Sequence, residues 1–126
     1  MTRSGLVVAV VDDDASVRKA VARLLRASGF EVEVFASGSD FLKTVNGVPD
    51  CLLLDVHMPQ INGLDVQASL RARGKQVPIV FITAYDDAAL RERALEQGAV
   101  AYLRKPLTEQ MLLSAIATAV GPRQGA

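Results

Sequence analysis

Five short apolar runs recur along this 126-residue chain, each followed by a segment with helical spacing. They are Leu6–Val11, Val32–Ala36, Cys51–Leu54, Pro78–Ile82 and Ala99–Leu103. Most have no polar face, as expected of parallel strands covered on both sides. Val32–Ala36 differs, because Glu31 and Glu33 alternate with Val32 and Val34, which predicts a sheet edge. Repeated strand–helix alternation restricts the fold to the α/β class: a parallel sheet, right-handed crossovers and helices on both faces.

The intervening segments carry helix signals. Val17, Val21, Leu24 and Leu25 make one apolar stripe, with Arg18, Lys19, Arg23 and Arg26 elsewhere, and the helix is predicted to end at Ser28-Gly29. A second helix is predicted from Ser37, whose hydroxyl can cap, with Asp40 three positions on. The third follows Gly63 and stops near Gly74, and the fourth runs from Asp87 to Gln97. The last starts at Thr108, buries Leu112, Leu113, Ile116 and Val120, and stops at Gly121-Pro122.

Residues 1–126 are therefore expected to form a single domain, ordered over about 6–121 and loose at Met1–Gly5 and Gly121–Ala126. Lys+Arg and Asp+Glu balance at 14 each, which disfavours nucleic-acid binding through an extended basic surface. No apolar stretch approaches the ~18 residues of a membrane span, and the N-terminus lacks the pattern of a signal peptide. A cytoplasmic location is expected, with the single Cys51 buried and structural.

Charge appears abruptly where these strands surface. Asp12 and Asp13 follow the first run, Asp55 the third and Lys105-Pro106 the fifth, while Thr83 follows the fourth. Ligands of open parallel sheets bind outside the carboxyl ends of strands. Carboxylates gathered there repel one another unless a cation joins them, and hard oxygen donors suit Mg²⁺. A carboxylate can also be a nucleophile toward phosphorus, with lysine and threonine contacting phosphoryl oxygens. The set points to phosphoryl transfer. Taken alone, Asp12–Asp14 would read as a helix start favoured by the macrodipole.

The chain resembles the receiver domain of bacterial two-component response regulators. The resemblance rests on Val10-Val11-Asp12-Asp13, Asp55 with Met58-Pro59 and Asn62-Gly63, Phe81-Ile82-Thr83-Ala84, Gly98-Ala99 and Lys105-Pro106. It is closest to the branch often fused to a helix-turn-helix DNA-binding output domain, through Arg73-Gly74 and Pro78-to-Tyr85. Ile61-Asn62 replaces a common Met-Asp pair and Leu107 a common phenylalanine, which touches packing and loop shape only.

The resemblance implies a flavodoxin-like (βα)5 fold with strand order 2-1-3-4-5. It makes Asp55 the phosphoacceptor. Asp13, Asp55 and the His57 backbone carbonyl become Mg²⁺ ligands, with Asp12 acting mainly through water and Mn²⁺ able to substitute. Lys105 and Thr83 would contact the phosphoryl group, and Thr83 and Tyr102 would form the switch, with Tyr102 turning inward. His57 and Tyr85 would tune hydrolysis, and Asp14 would start a helix. A histidine kinase or phosphotransfer protein would be the donor. The face of the fourth helix, fifth strand and fifth helix would support a phosphorylation-dependent homodimer. A cis Lys105–Pro106 bond is expected, because it would turn the lysine back over the Asp55 pocket. The domain would be a switch and not a turnover enzyme, binding neither nucleic acid nor membrane itself.

Blander readings exist for several of these residues. His57 could be a solvent-facing loop side chain and Tyr102 a core aromatic. The basic residues of the first helix, and Arg91 and Arg93, could be solvated faces. Three rival functions are weaker. A haloacid-dehalogenase-like phosphatase would use Asp12, Asp14 and Ser16, but needs an acidic pair after Lys105, where only Glu109 follows. A flavin binder needs a hydroxyl- and glycine-rich first loop, where this chain has three aspartates. A degenerate, non-phosphorylated interaction module would not need the full acidic set.

Overall fold

Each apolar run becomes a strand of one sheet. A computed structural model of the chain describes residues 5–44 and 48–121. The elements alternate as β1 (Val7–Val11), α1 (Ala15–Ala27), β2 (Glu31–Phe35), α2 (Gly38–Thr44), β3 (Cys51–Asp55), α3 (Gly63–Ala72), β4 (Ile79–Thr83), α4 (Ala88–Glu96), β5 (Ala101–Arg104) and α5 (Glu109–Val120). Every strand pair is parallel, in the order β2-β1-β3-β4-β5. Residues 1–4 and 122–126, where most of the loose ends are expected, lie outside the described residues.

The period of the strands divides the core in two. Ala9, Val11, Leu52, Leu54, Ile79 and Phe81 face α2, α3 and α4, packing with Phe41, Leu64, Leu70 and Ala94. Their alternates Val8, Val10, Cys51, Leu53 and Val80 face α1 and α5, meeting Val21, Leu25, Leu112 and Ile116. Fully burying each such Leu, Val or Phe contributes about 1.5–3 kcal/mol, and most of that burial falls on the central strands β1, β3 and β4. β2 is an edge strand, with Glu31, Glu33 and Val34 exposed. Cys51 is fully buried; burial first, and Asp50 second, push its thiol up to about 12.

Boundaries shift by a residue or two from the predicted runs, for hydrogen-bonding reasons. β2 begins at Glu31, whose N–H donates to the Leu6 carbonyl. β4 begins after Pro78, which has no N–H to give. β5 begins two residues late, because the Ala99 N–H closes α4 onto Ala94 O. Asp55 and Thr83 are the last residues of their strands and not the first beyond them.

Helix starts follow the predicted caps at α1, α2, α4 and α5, while the cap of α3 is a further one. Asp14 caps α1 by accepting from the N–H groups of Ser16 and Val17, so it is a helix-start residue. The Ser37 hydroxyl accepts from the Asp40 N–H. Asn62 and Asp65 form a reciprocal capping box on α3. Asp87 and Thr108 cap α4 and α5. Ile61 packs against the α3 side of the core and Leu107 against the α5 side.

Candidate functional site

Strand order reverses between β1 and β3, because β1 also pairs with β2 on its other side. Asp12 and Asp13 leave β1 there and Asp55 ends β3, so the reversal places three carboxylates at one edge. One carboxylate oxygen from each lies within 4.8 Å of the others. Asp12 is fully buried, Asp55 is 4% exposed and Asp13 is open to solvent.

Lys105 comes from the far edge of the sheet to meet them. Its N–H donates to the Thr83 carbonyl at 2.7 Å, and the Lys105–Pro106 peptide is cis. Its ammonium lies 3.0 Å from Asp12 Oδ2 and 3.8 Å from Asp55 Oδ2. The closer approach lies off the hydrogen-bonding direction, so Asp12 Oδ2 receives charge compensation without a hydrogen bond. Asp12 is otherwise fixed by its backbone neighbours. Its Oδ1 accepts from the Asp14 N–H at 2.9 Å, and its carbonyl accepts from Arg18 Nη1 at 2.8 Å.

Burial, then the Asp12 charge, raises the Asp55 carboxyl to about 7 against the opposing effects of Lys105 and the His57 N–H. That N–H donates to Asp55 Oδ1 at 3.3 Å. One ammonium facing three carboxylates leaves an acidic excess, and hard oxygen donors at this spacing fit a divalent cation. Asp12, Asp13 and Asp55 are the residues that could hold it.

Thr83 ends β4, one strand over from Asp55, and Tyr102 lies on β5 next to it. Thr83 is fully buried, and its Oγ1 accepts from the Tyr85 N–H at 3.0 Å. The Tyr102 ring lies 6.3 Å from that of Phe81, centroid to centroid. Its hydroxyl is buried beside Thr83 without a well-directed hydrogen bond, so the inward position is the one seen. Burial raises the phenol pKa, Asp87 adds to the rise, and Thr83 and Arg91 oppose it. The His57 and Tyr85 rings meet edge to face with centroids 4.9 Å apart, and Tyr85 is 62% exposed.

Two contributors escaped the sequence reading. Gly63 was legible as a helix start and as part of the family motif, but not as a contact of Asp55: a Cβ there would stand 2.7 Å from the Asp55 carbonyl oxygen and 2.9 Å from Phe81. Arg18 read as part of a solvated face, and no spacing in the sequence signals its reach to Asp12.

The site and fold agree with the comparisons to known proteins. Residues 8–117 match the family model described as "Response regulator receiver domain". The chain belongs to that family. It is 42% identical over 121 residues to the response regulator protein TodT of Pseudomonas putida, covering 95% of this chain and 53% of that protein. It is 39% identical over 120 residues to the transcriptional regulatory protein TdiR of Thauera aromatica, covering 94% and 53%. The crystal structure of a response regulator receiver protein from Burkholderia phymatum matches with a TM-score of 0.80 at 47% identity, over 92% of this chain and 95% of that one. The chain thus spans about half the length of the curated relatives it matches. Receiver domains are signalling switches that bind Mg²⁺ at an acidic pocket, and this receiver presents Asp12, Asp13 and Asp55 as that cluster. Among the described residues, no helix is long and apolar enough to cross a membrane.

Proposed function

We propose that this receiver takes a phosphoryl group on Asp55 from a histidine kinase or phosphotransfer protein, in a Mg²⁺-dependent reaction. The observation that carries the reading is the gathering of three carboxylates within 4.8 Å, with the Lys105 ammonium reaching two of them. An Asp55 carboxylate oxygen attacks phosphorus, the bond to the donor nitrogen breaks, and that nitrogen keeps the electron pair. The product is an acyl phosphate on Asp55. Mg²⁺ held by Asp13, Asp55 and the His57 carbonyl, with Asp12 through water, would neutralise charge on the phosphoryl oxygens.

The chain's own residues do the remaining work. Lys105 exchanges part of its contact with Asp12 for a phosphoryl oxygen, as a point charge. The Thr83 hydroxyl leaves the Tyr85 N–H and donates to another oxygen. The His57–Tyr85 pair sets how easily water reaches the acyl phosphate. Thr83 moving away from Tyr102 changes what holds that ring inward, and so changes the surface shared by α4, β5 and α5. That surface then binds a second copy or an output segment. A DNA-binding output domain in the whole protein fits the half-length coverage of relatives such as TdiR, a transcriptional regulatory protein. The domain acts as a cytoplasmic switch, without nucleic-acid binding or multiple turnover of its own.

Phosphorylation by acetyl phosphate, followed by intact mass, tests the metal-dependent step. Removing Mg²⁺, or replacing Asp13 with Ala, should slow the gain of a phosphoryl group by ~10-fold or more. Equal rates in all three would refute it.

A further inference from the structure

Four polar side chains are buried among the described residues, and three of them, Asp12, Asp55 and Thr83, belong to the acidic site. The fourth is Gln67, on α3 and 2% exposed. It borders a cavity of about 600 Å³ that is also lined by Pro78 and Ile79, at the end of β4 opposite Thr83. Its amide Nε2 donates across to α4, to the Ala94 carbonyl at 3.3 Å and the Gln97 carbonyl at 3.5 Å. One turn later on α3, Arg71 Nη1 reaches Gln97 Oε1 at 3.4 Å. Gln67 Oε1 is buried without a hydrogen-bond partner, so the amide is held from one side only.

α4 is otherwise lightly attached. Ala94 is its only fully buried residue, and it lies near the C-terminal end. The backbone closes at that end too, through Ala99 N–H to Ala94 O and Val100 N–H to Ile79 O. At the other end, the Asp87 cap serves only its own helix. Among the described residues, no side-chain hydrogen bond ties the first turn of α4 to another helix. Leu90, in the first turn, packs partly buried against the core, so that end is held by apolar contact alone, whereas the C-terminal end is also hydrogen-bonded to α3.

We infer that Gln67 is a positioning residue that pins the C-terminal end of α4 to α3, so that α4 pivots about Gln97 and moves at its first turn, beside Thr83 and Tyr102. The pin itself does not depend on phosphorylation; the direction of movement rests on the receiver reading above. Motion set off at Thr83 would then tilt the helix and not translate it, changing the surface near Asp87 and Arg91 most. The cavity beside Gln67 leaves room for the amide to yield when the pin is removed.

Amide hydrogen exchange read by mass spectrometry separates this from a merely space-filling glutamine. In the protein without phosphoryl mimic, Gln67→Leu and Gln67→Met should speed exchange at residues 95–100 by ~3- to 10-fold, with little change at the central strands. With beryllofluoride and Mg²⁺, wild type should change at residues 87–91 and not at 95–100. In either variant the change should spread along the whole helix. Uniform acceleration across the sheet and helices would mean lost stability alone, and would overturn the inference. So would unchanged exchange at residues 95–100 in both variants, or an equal response at both ends of α4 in wild type. If beryllofluoride left every segment unchanged, the receiver reading and the tilt would fail together, while the first comparison would still decide the pin.

Discussion

Gly63 lies against Asp55 so closely that a single added methyl group would stand 2.7 Å from the Asp55 carbonyl oxygen. The obstructing atom is backbone, and Phe81 blocks at 2.9 Å, so neither can swing aside cheaply. The Gly63 N–H also donates to the Val56 carbonyl, tying the loop after β3 to the start of α3. Gly63→Ala is expected to cost about 1–3 kcal/mol by overpacking and to slow phosphorylation by displacing Asp55. Urea denaturation and acetyl phosphate kinetics check both. Wild-type values in both would show that the loop gives way.

The physical signals in the sequence were unequal. Strand positions and most helix caps were legible because burial on both faces and capping chemistry are local: Asp14, Ser37, Asp87 and Thr108 each announce a helix start within three residues, whereas the Asn62 cap was not read. Asp12, Asp13, Asp55 and Lys105 were legible as charges at strand ends, and strand order then brings them together. Contacts made through space and not along the chain were not legible. Gly63 against Asp55, Arg18 against the Asp12 carbonyl and Gln67 against α4 all depend on how loops and helices pack. The buried position of the Tyr102 hydroxyl is likewise a matter of packing.

Stability without metal should depend on the ionisation of Asp55. Its carboxyl is pushed up to about 7 in the fold from an ordinary 3.8, raised first by burial and then by Asp12. A pKa raised by folding favours the protonated form, so this contribution is complete below about 3.8 and lost as pH rises through about 7. Asp55→Asn stays neutral throughout. In Mg²⁺-free buffer it should be more stable than wild type by on the order of 1–2 kcal/mol near pH 8, and nearly equal near pH 4. A difference independent of pH would contradict the assigned cause.

Lys105 supplies the compensating charge for a fully buried Asp12. Lys105→Met keeps the length of the stem and removes the ammonium. It is expected to lower stability by about 1–3 kcal/mol without metal, since a buried carboxylate is left uncompensated. Adding Mg²⁺ should narrow the gap, because the ion replaces part of the lost charge. Denaturant titrations with and without Mg²⁺ measure it, and a gap that Mg²⁺ does not change would argue against a metal site here.

Coupling from the phosphoryl site to the α4–β5–α5 surface is expected to run through Thr83. Wild type should self-associate more strongly with beryllofluoride than without it. Thr83→Ala should bind the mimic at Asp55 yet fail to respond. Sedimentation velocity on both proteins, with and without the mimic, reads this. An equal response from both would remove Thr83 from the route.

The most direct measurement is the position of the phosphoryl group. After incubation with acetyl phosphate and Mg²⁺, intact mass should show one added phosphoryl group, and peptide mapping should place it on Asp55. Asp55→Asn should remain folded and gain none. A stable adduct on Asp12 or Asp14 in that variant would contradict the receiver mechanism and favour a phosphatase-like use of the first strand end.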